Sequence, residues 1–211
     1  MRQVSSRCFV GKTITQFGPT DFAPALAETE ARNPTAIILN LYGWDLVHAL
    51  TAYTKLELAK EKIGVGGMIA GEQIGRPLGY ANNAGNWGLI WDPKVGTDGS
   101  RRFIQGVIDK YGHMPTSRCY LGYAAMTQIL EGMQRAGSTD TAELIKTMEG
   151  HEFDGLKAGK SFFRASDHQH VQDILVGEAF GKELGLGHYK ILATITGNLV
   201  AGTVEQDICR L

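Results

Sequence analysis

Between Ala36 and Trp91, short apolar runs alternate with helical patterns, and this alternation limits the possible folds more than any other feature of the chain. Ala36-Ile-Ile-Leu-Asn-Leu-Tyr42 is nearly continuous and β-branched at its start, as expected of a strand covered on both faces of a parallel sheet. Gly43 opens a turn, and Leu46, Val47, Leu50 and Tyr53 then recur at helical spacing, with Lys60, Glu61 and Lys62 at a solvated end. Ile63 to Ile69 reads as a second strand. Residues 70–85 carry four Gly, one Pro and two Asn, which predicts a loop with at most a short helix. Asn86-Trp-Gly-Leu-Ile-Trp91 is a third strand, stopped by Asp92-Pro93. Strand, helix, strand, loop, strand predicts an α/β fold with a parallel sheet and right-handed crossovers. Ligands then belong beyond the carboxyl ends of the strands, at Tyr42-Gly43-Trp44, Gly66-Gly67-Met68 and Trp91-Asp92.

Upstream, Thr20-Asp21 reads as a cap and Asn33-Pro34 as a stop, giving a helix over about 22–32. The second half is more helical. Thr97 to Tyr111 and Leu121 to Ala136 are amphipathic, the latter with Leu121, Ala125, Met126, Ile129, Leu130 and Met133 on one stripe and Gly137 as its stop. Asp140 with Glu143 forms a capping box for a helix reaching Met148. Ser161–Arg164, Val171–Val176 and Tyr189–Ile195 are strand-like, the first two separated by a polar turn.

Charge and cysteine content remove several classes. With 21 Lys plus Arg against 22 Asp plus Glu and 43% hydrophobic residues, the chain buries a core and has no basic excess for nucleic acid. Cys8, Cys119 and Cys209 are isolated, which argues against a disulfide framework or a zinc site. No run is long and apolar enough for a membrane span. The N-terminus lacks the apolar core of an export signal, and Arg7 before Cys8 departs from a lipoprotein site. By itself it reads as the start of a cytoplasmic product.

Candidate chemistry is sparse. Asp167-His168-Gln169-His170 with Asp173 suggests metal or acid-base chemistry, because alternate residues of a strand share a face. No third ligand is indicated, however, and a polar turn between two strands explains the same residues. Gly64-Val-Gly66-Gly67-Met-Ile69 lacks the third glycine of a dinucleotide loop. Nucleophile elbows, phosphate loops and His-Glu-x-x-His are absent. No cofactor, catalytic residue or metal site is assigned, and the expected protein is not an enzyme. Tyr42, Trp44, Trp87 and Trp91 are either core caps or the wall of a pocket for a small organic ligand.

Five motifs in order carry a resemblance: Gly18-Pro-Thr-Asp21-Phe22-Ala-Pro24 leading to Asn33-Pro34-Thr-Ala-Ile-Ile-Leu, Gly137-Ser-Thr-Asp140, Phe153-Asp-Gly155, Phe163-Arg-Ala165 with Asp167-His-Gln169, and the closing Cys209-Arg-Leu211. From about Gly11 to Leu211 the chain resembles type I periplasmic binding proteins, specifically the branched-chain amino acid and amide group of ABC transporters. The resemblance implies a Rossmann-like, two-lobed α/β clamp that closes on a solute and delivers it to a membrane permease without chemistry, in the periplasm. Residues 1–92 and 151–211 are similar to the second lobe, and 93–150 to the segment returning to the first. The N-terminal sheet and leader of that group have no counterpart here, so a partial clamp from a truncated product is expected. Helices at 93–150 are then left with an uncovered apolar stripe and a tendency to self-associate.

Tyr42 matches a ligand-wall tyrosine of that group, with Gly43 and Trp44 in the same loop. Where aliphatic amino acid binders place an acid for the ligand ammonium, this chain has Gly66-Gly67, followed by Met68. An α-amino acid ligand is disfavoured unless Glu72 substitutes; aromatic or amide-like solutes suit Tyr42, Trp44 and Met68. Two further readings remain open, a small-molecule sensor on the same clamp and an α/β enzyme using the Asp167–Asp173 cluster.

Overall fold

Helix α2 (Gly43–Lys55) shows how the first part of the chain folds, because Leu46, Val47, Ala49, Leu50, Ala52 and Tyr53 on its inner face are all buried. A computed structural model describes residues 9–79, 82–157, 159–184 and 187–203. Cys8 and Cys209-Arg-Leu211 lie outside the described residues, as does the side chain of Glu72. In the chain, helix α1 (Ala23–Glu30) precedes strand β1 (Ala36–Ile38), and helix α3 (Glu72–Leu78) joins β2 (Gly64–Gly67) to β3 (Asn86–Leu89). These strands are parallel, with Ile38 opposite Gly66 and Gly67 opposite Trp87. Strands β7 (Ile174–Leu184) and β8 (Gly187–Ile195) extend the sheet to the order β1-β2-β3-β7-β8.

The first three strands are shorter than the apolar runs that announced them. β1 ends at Ile38 rather than Tyr42, and Ile38 is 70% exposed while Ile37 is buried. The expectation of a strand covered on both faces is therefore corrected: β1 is the outer strand of the order, and one of its faces is open. α1 begins after Phe22, and Asp21 acts one residue earlier than an N-cap, its Oδ1 accepting from the Ala23 N–H at 2.9 Å.

The chain divides into two compact units, Met1–Gly88 with Gly177–Lys190, and Leu89–Val176 with Ile191–Leu211. The second contains α4 (Asp98–Tyr111), α5 (Ser117–Ala136), α6 (Thr141–Met148), the short α7 (Gly197–Val200), and a sheet of β4 (Glu152–Phe153), β5 (Ser161–Phe163) and β6 (His170–Val171). Its core is Trp91, Phe103, Tyr120 and Leu156. Trp91 stacks on Tyr120 at 5.7 Å and meets Phe103 edge-on at 5.6 Å, the offset geometries that aromatic quadrupoles favour. The polar tips are satisfied as burial requires: Trp91 Nε1 donates to Ser100 Oγ, and the Tyr120 hydroxyl lies 3.0 Å from both Gly155 O and Gln172 Oε1.

α5 leaves much of its apolar stripe uncovered. It starts at Ser117, capped by Thr116 Oγ1, one turn before Leu121. Its buried residues are Ser117, Tyr120, Gln128 and Gly132, whereas Met126 and Leu130 of the expected apolar stripe are more than half exposed, together with Tyr123 at 47%. Gly132 decides the inner face: a Cβ there would come within 2.6 Å of Leu144 Cδ1 on α6. The Asp140 cap is as expected, its Oδ1 accepting from the N–H groups of Ala142 and Glu143.

Lys157 is 5% exposed and crosses this unit as a strap, its Nζ donating to Ile90 O at 2.9 Å and to the main-chain oxygen of Asp173. Burial lowers its pKa to about 8, against the opposing pull of Asp173. His170 stacks between Phe153 and Phe163, and its buried Nε2 has no hydrogen-bond partner among the described residues. Burial, with the Lys157 charge as the second cause, lowers its pKa from 6.5 to about 4. The unfolded chain therefore takes up this proton before the folded one does, and stability falls as pH drops from about 6.5 to about 4. A difference of that size corresponds to about 2–3 kcal/mol across the window. Denaturant unfolding at a series of pH values should show this decline in the wild type and a much flatter profile in His170→Phe; equal slopes would exclude His170 as the source.

Candidate functional site

The parallel register places two loops side by side. Ile38 lies opposite Gly66, so Tyr42-Gly43-Trp44 and Met68 follow the carboxyl ends of adjacent strands, the position where open α/β sheets take ligands. Tyr42 is extended and Gly43 is left-handed at φ 59°, so the chain turns from the β1 exit into α2 over two residues. Glycine takes that conformation without the Cβ clash of other residues. Three large side chains stand out from this edge: Tyr42 is 54% exposed, Trp44 65% and Met68 73%. Trp44 is steadied on one side by His48, ring centroids 6.0 Å apart.

Gly66 and Gly67 sit behind this apolar edge for a reason unconnected with ligand. A Cβ on Gly66 would lie 2.4 Å from Asn86 O. One on Gly67 would lie 2.5 Å from Leu39 O and 2.6 Å from the six-membered ring of Trp87. No side chain fits either position unless the neighbours move, so an acid at this strand end is sterically excluded. The nearest buried acid on α2, Asp45, accepts from the Gly18 N–H at 3.2 Å.

The N-terminus of α2 also faces this edge. Tyr42 provides no side-chain acceptor as N-cap, so the first-turn N–H groups lack the usual capping oxygen. Together with the helix dipole, they make this end favourable for a polar or anionic ligand group.

The four aromatics separate into two pairs. Trp87 and Trp91 are core residues, 1% and 3% exposed, with Trp87 Nε1 donating to Ala84 O. Tyr42 and Trp44 are surface residues. The six expected site residues thus form an open platform, and they line neither of two cavities elsewhere in the same unit. One, of about 250 Å³, lies between the start of α1 and the outer face of α2. The other, of about 480 Å³, lies at the opposite ends of β2 and β3 and includes Asn83, which sequence reasoning read only as a loop residue.

The Asp167–Asp173 cluster is dispersed over separate structural bonds. Asp167, nearly inaccessible, pairs with Arg164, whose Nε lies 2.9 Å from both carboxylate oxygens, and its Oδ1 also accepts from the Gln169 N–H. His168 turns to Glu149 at 2.8 Å, and Asp173 Oδ1 accepts from the Gly197 N–H. Among the described residues, no three His, Cys, Asp or Glu side chains converge as a metal site. The motif Phe163-Arg-Ala with Asp167-His-Gln is a turn held by its own ion pair.

These features define an α/β unit with an exposed aromatic and thioether edge at the carboxyl ends of β1 and β2. A periplasmic binding protein family model matches residues 3–183, and the chain belongs to that family. No curated protein matches significantly. Among solved structures, an amino acid ABC transporter substrate-binding protein from Pseudomonas fluorescens Pf-5 is 23% identical with a TM-score of 0.86, over 96% of this chain and 54% of its own. A branched-chain amino acid ABC transporter ligand-binding protein from Burkholderia xenovorans LB400 gives 22% and 0.82, over 95% and 54%. A solute-binding protein from Rhodopseudomonas palustris HaA2, solved with p-hydroxybenzoic acid, gives 15% and 0.79, over 93% and 55%. The fold is that of type I periplasmic binding proteins, and the chain spans about half the length of these solved relatives.

The Gly67 clash makes a direct prediction. Gly67→Ala should destabilise the first unit by about 1–3 kcal/mol, the usual cost of overpacking a filled site, and lower the thermal midpoint by several degrees. An unchanged midpoint would show that Trp87 moves aside freely and that glycine is not required there.

Proposed function

We propose that this chain provides the second-lobe side of a substrate-binding component of an ABC transporter, holding a small organic solute at Tyr42, Gly43, Trp44, Gly66, Gly67 and Met68 without transforming it. One observation carries the choice of solute: the ligand edge is an exposed aromatic and thioether platform, and behind it the strand end excludes a carboxylate. An α-ammonium group finds no acid at Gly66-Gly67, and an unpaired ligand charge in a desolvated site costs several kcal/mol. An aromatic carboxylate avoids that cost. Its ring lies against Trp44 and Met68, and its polar group meets the uncapped N–H groups of α2. The solved relative with p-hydroxybenzoic acid supports this class, as does one from Rhodopseudomonas palustris BisB5 in complex with 3,4-dihydroxybenzoic acid. In the whole transporter such a component passes its solute to a permease, and the family's place is the periplasm.

Trp44 reports on this reading because Trp87 and Trp91 are buried. Adding 4-hydroxybenzoate should change Trp44 emission saturably and shift the amide resonances of Gly43 and Gly67. Trp44→Ala should weaken binding by about fivefold or more, given the worth of an aromatic contact. Tighter binding of leucine than of 4-hydroxybenzoate, or shifts confined to other parts of the chain, would refute the assignment.

The exposed row Tyr123, Met126 and Leu130 on α5 supports self-association of the isolated chain through residues 93–150, since contiguous apolar faces of this kind mark interaction surfaces. Light scattering should find oligomers whose mass rises with concentration, and the double substitution Met126→Lys with Leu130→Lys should return the chain to monomer. A wild type that stays monomeric at every concentration ends this part of the proposal.

A further inference from the structure

We propose that the cleft at the amino ends of β2 and β3 is a second binding site, for a small molecule bearing a primary carboxamide, with Asn83 as its recognition residue. The cleft has a volume of about 480 Å³, and its lining includes Gly64 and Val65 from the start of β2, Asn83 to Asn86, and Glu178 from β7. It lies across the sheet from the carboxyl-end platform, because Gly64 opens the strand whose other end is Gly67.

Asn83 is 2% exposed, and among the described residues neither Nδ2 nor Oδ1 of its amide has a hydrogen-bond partner. An interior amide left in this state loses its hydration without replacement, so native structures rarely tolerate one unless a bound group completes it. The neighbouring residues hold the loop in place. Ala84 O accepts from Trp87 Nε1 at 2.8 Å, and Gly85 O accepts from the Ala179 N–H at 2.8 Å. Asn82 Nδ2 donates to Leu78 O at 3.0 Å. Gly85 itself has φ 96° and lies so close to β2 that a Cβ would be 2.2 Å from Val65 O. With its neighbours bonded on both sides, Asn83 cannot swing to solvent without breaking the loop's own ties.

The chemistry of the ligand follows from the inventory of that side chain. One carboxamide offers a donor and an acceptor side by side, and another carboxamide is its direct complement, closing a pair of N–H···O bonds. A carboxylate matches only the donor and an ammonium only the acceptor. The rim carries Lys62 and Glu178, opposite charges that also admit an amide with a zwitterionic tail.

The test uses the whole chain and two probes, acetamide and L-glutamine, with acetate as the control that lacks the N–H donor. Nuclear magnetic resonance titration of the wild type should show saturable shifts of the Asn83 side-chain amide and of the Gly85 and Asn86 main-chain amides with both amides, and weaker or no response to acetate. Asn83→Leu should reduce amide binding by about tenfold or more, the equivalent of one good hydrogen-bond pair. In the same variant the response of Trp44 to 4-hydroxybenzoate should persist, which separates this site from the platform. Should Asn83→Leu fail to fold, the wild-type titration alone decides. Shifts that stay linear and unsaturated, an equal response to acetate, or a crystal structure in which ordered water alone completes the Asn83 amide in saturating acetamide would each overturn the proposal.

Discussion

The first unit depends on how closely β2 approaches its neighbours. Gly66 and Gly67 allow the main chain of β2 to lie against Asn86 O and Leu39 O, and they allow the Trp87 ring to cover the end of the strand. That approach closes the parallel pairing of β1, β2 and β3 around one register. It also sets the chemistry at the surface: with no side chain on Gly66 and Gly67, this edge of the sheet is made by what the flanking loops present, Tyr42 and Trp44 on one side and Met68 on the other. A packing requirement in the core therefore keeps a carboxylate off the end of β2.

The second unit solves a different problem, the burial of polar groups among aromatics. Trp91, Tyr120 and Phe103 form its centre, and the polar atoms near them are each given a partner: Ser100 for Trp91, Gly155 and Gln172 for Tyr120, main-chain oxygens for Lys157. Burial raises the pKa of Tyr120 and lowers those of Lys157 and His170, the direction that desolvation imposes on each charge type. His170 is the exception to the pairing, and it leaves this unit sensitive to acid.

Several of the motifs that carried the family resemblance, among the described residues, serve the chain's turns and caps. Asn33 and His168 take positive φ, Gly137 is a left-handed C-cap, and Asp154 Oδ1 accepts from the Leu156 N–H. Few residues suit such backbone positions, so these letters are strong evidence of fold and weak evidence of ligand. Tyr42 and Trp44, by contrast, are more than half exposed, so their side chains answer to solvent more than to the core.

Local rules determined much of this protein from sequence alone. The order of β1, α2, β2 and β3 follows from apolar periodicity and the Asp140 cap from side-chain geometry, since each depends on residues only a few positions apart. Tertiary structure alone decided the rest. Whether a tryptophan is core or surface, Trp87 or Trp44, depends on what another strand places above it. The face that α5 turns inward, with Tyr120, Gln128 and Gly132 buried, depends on the close fit of Gly132 against Leu144 of α6, which the spacing of apolar residues in α5 does not reveal. Asn83 looks like any loop asparagine until the loop is tied down at Ala84 and Gly85, because burial and the absence of a partner belong to the assembled sheet and not to the residue.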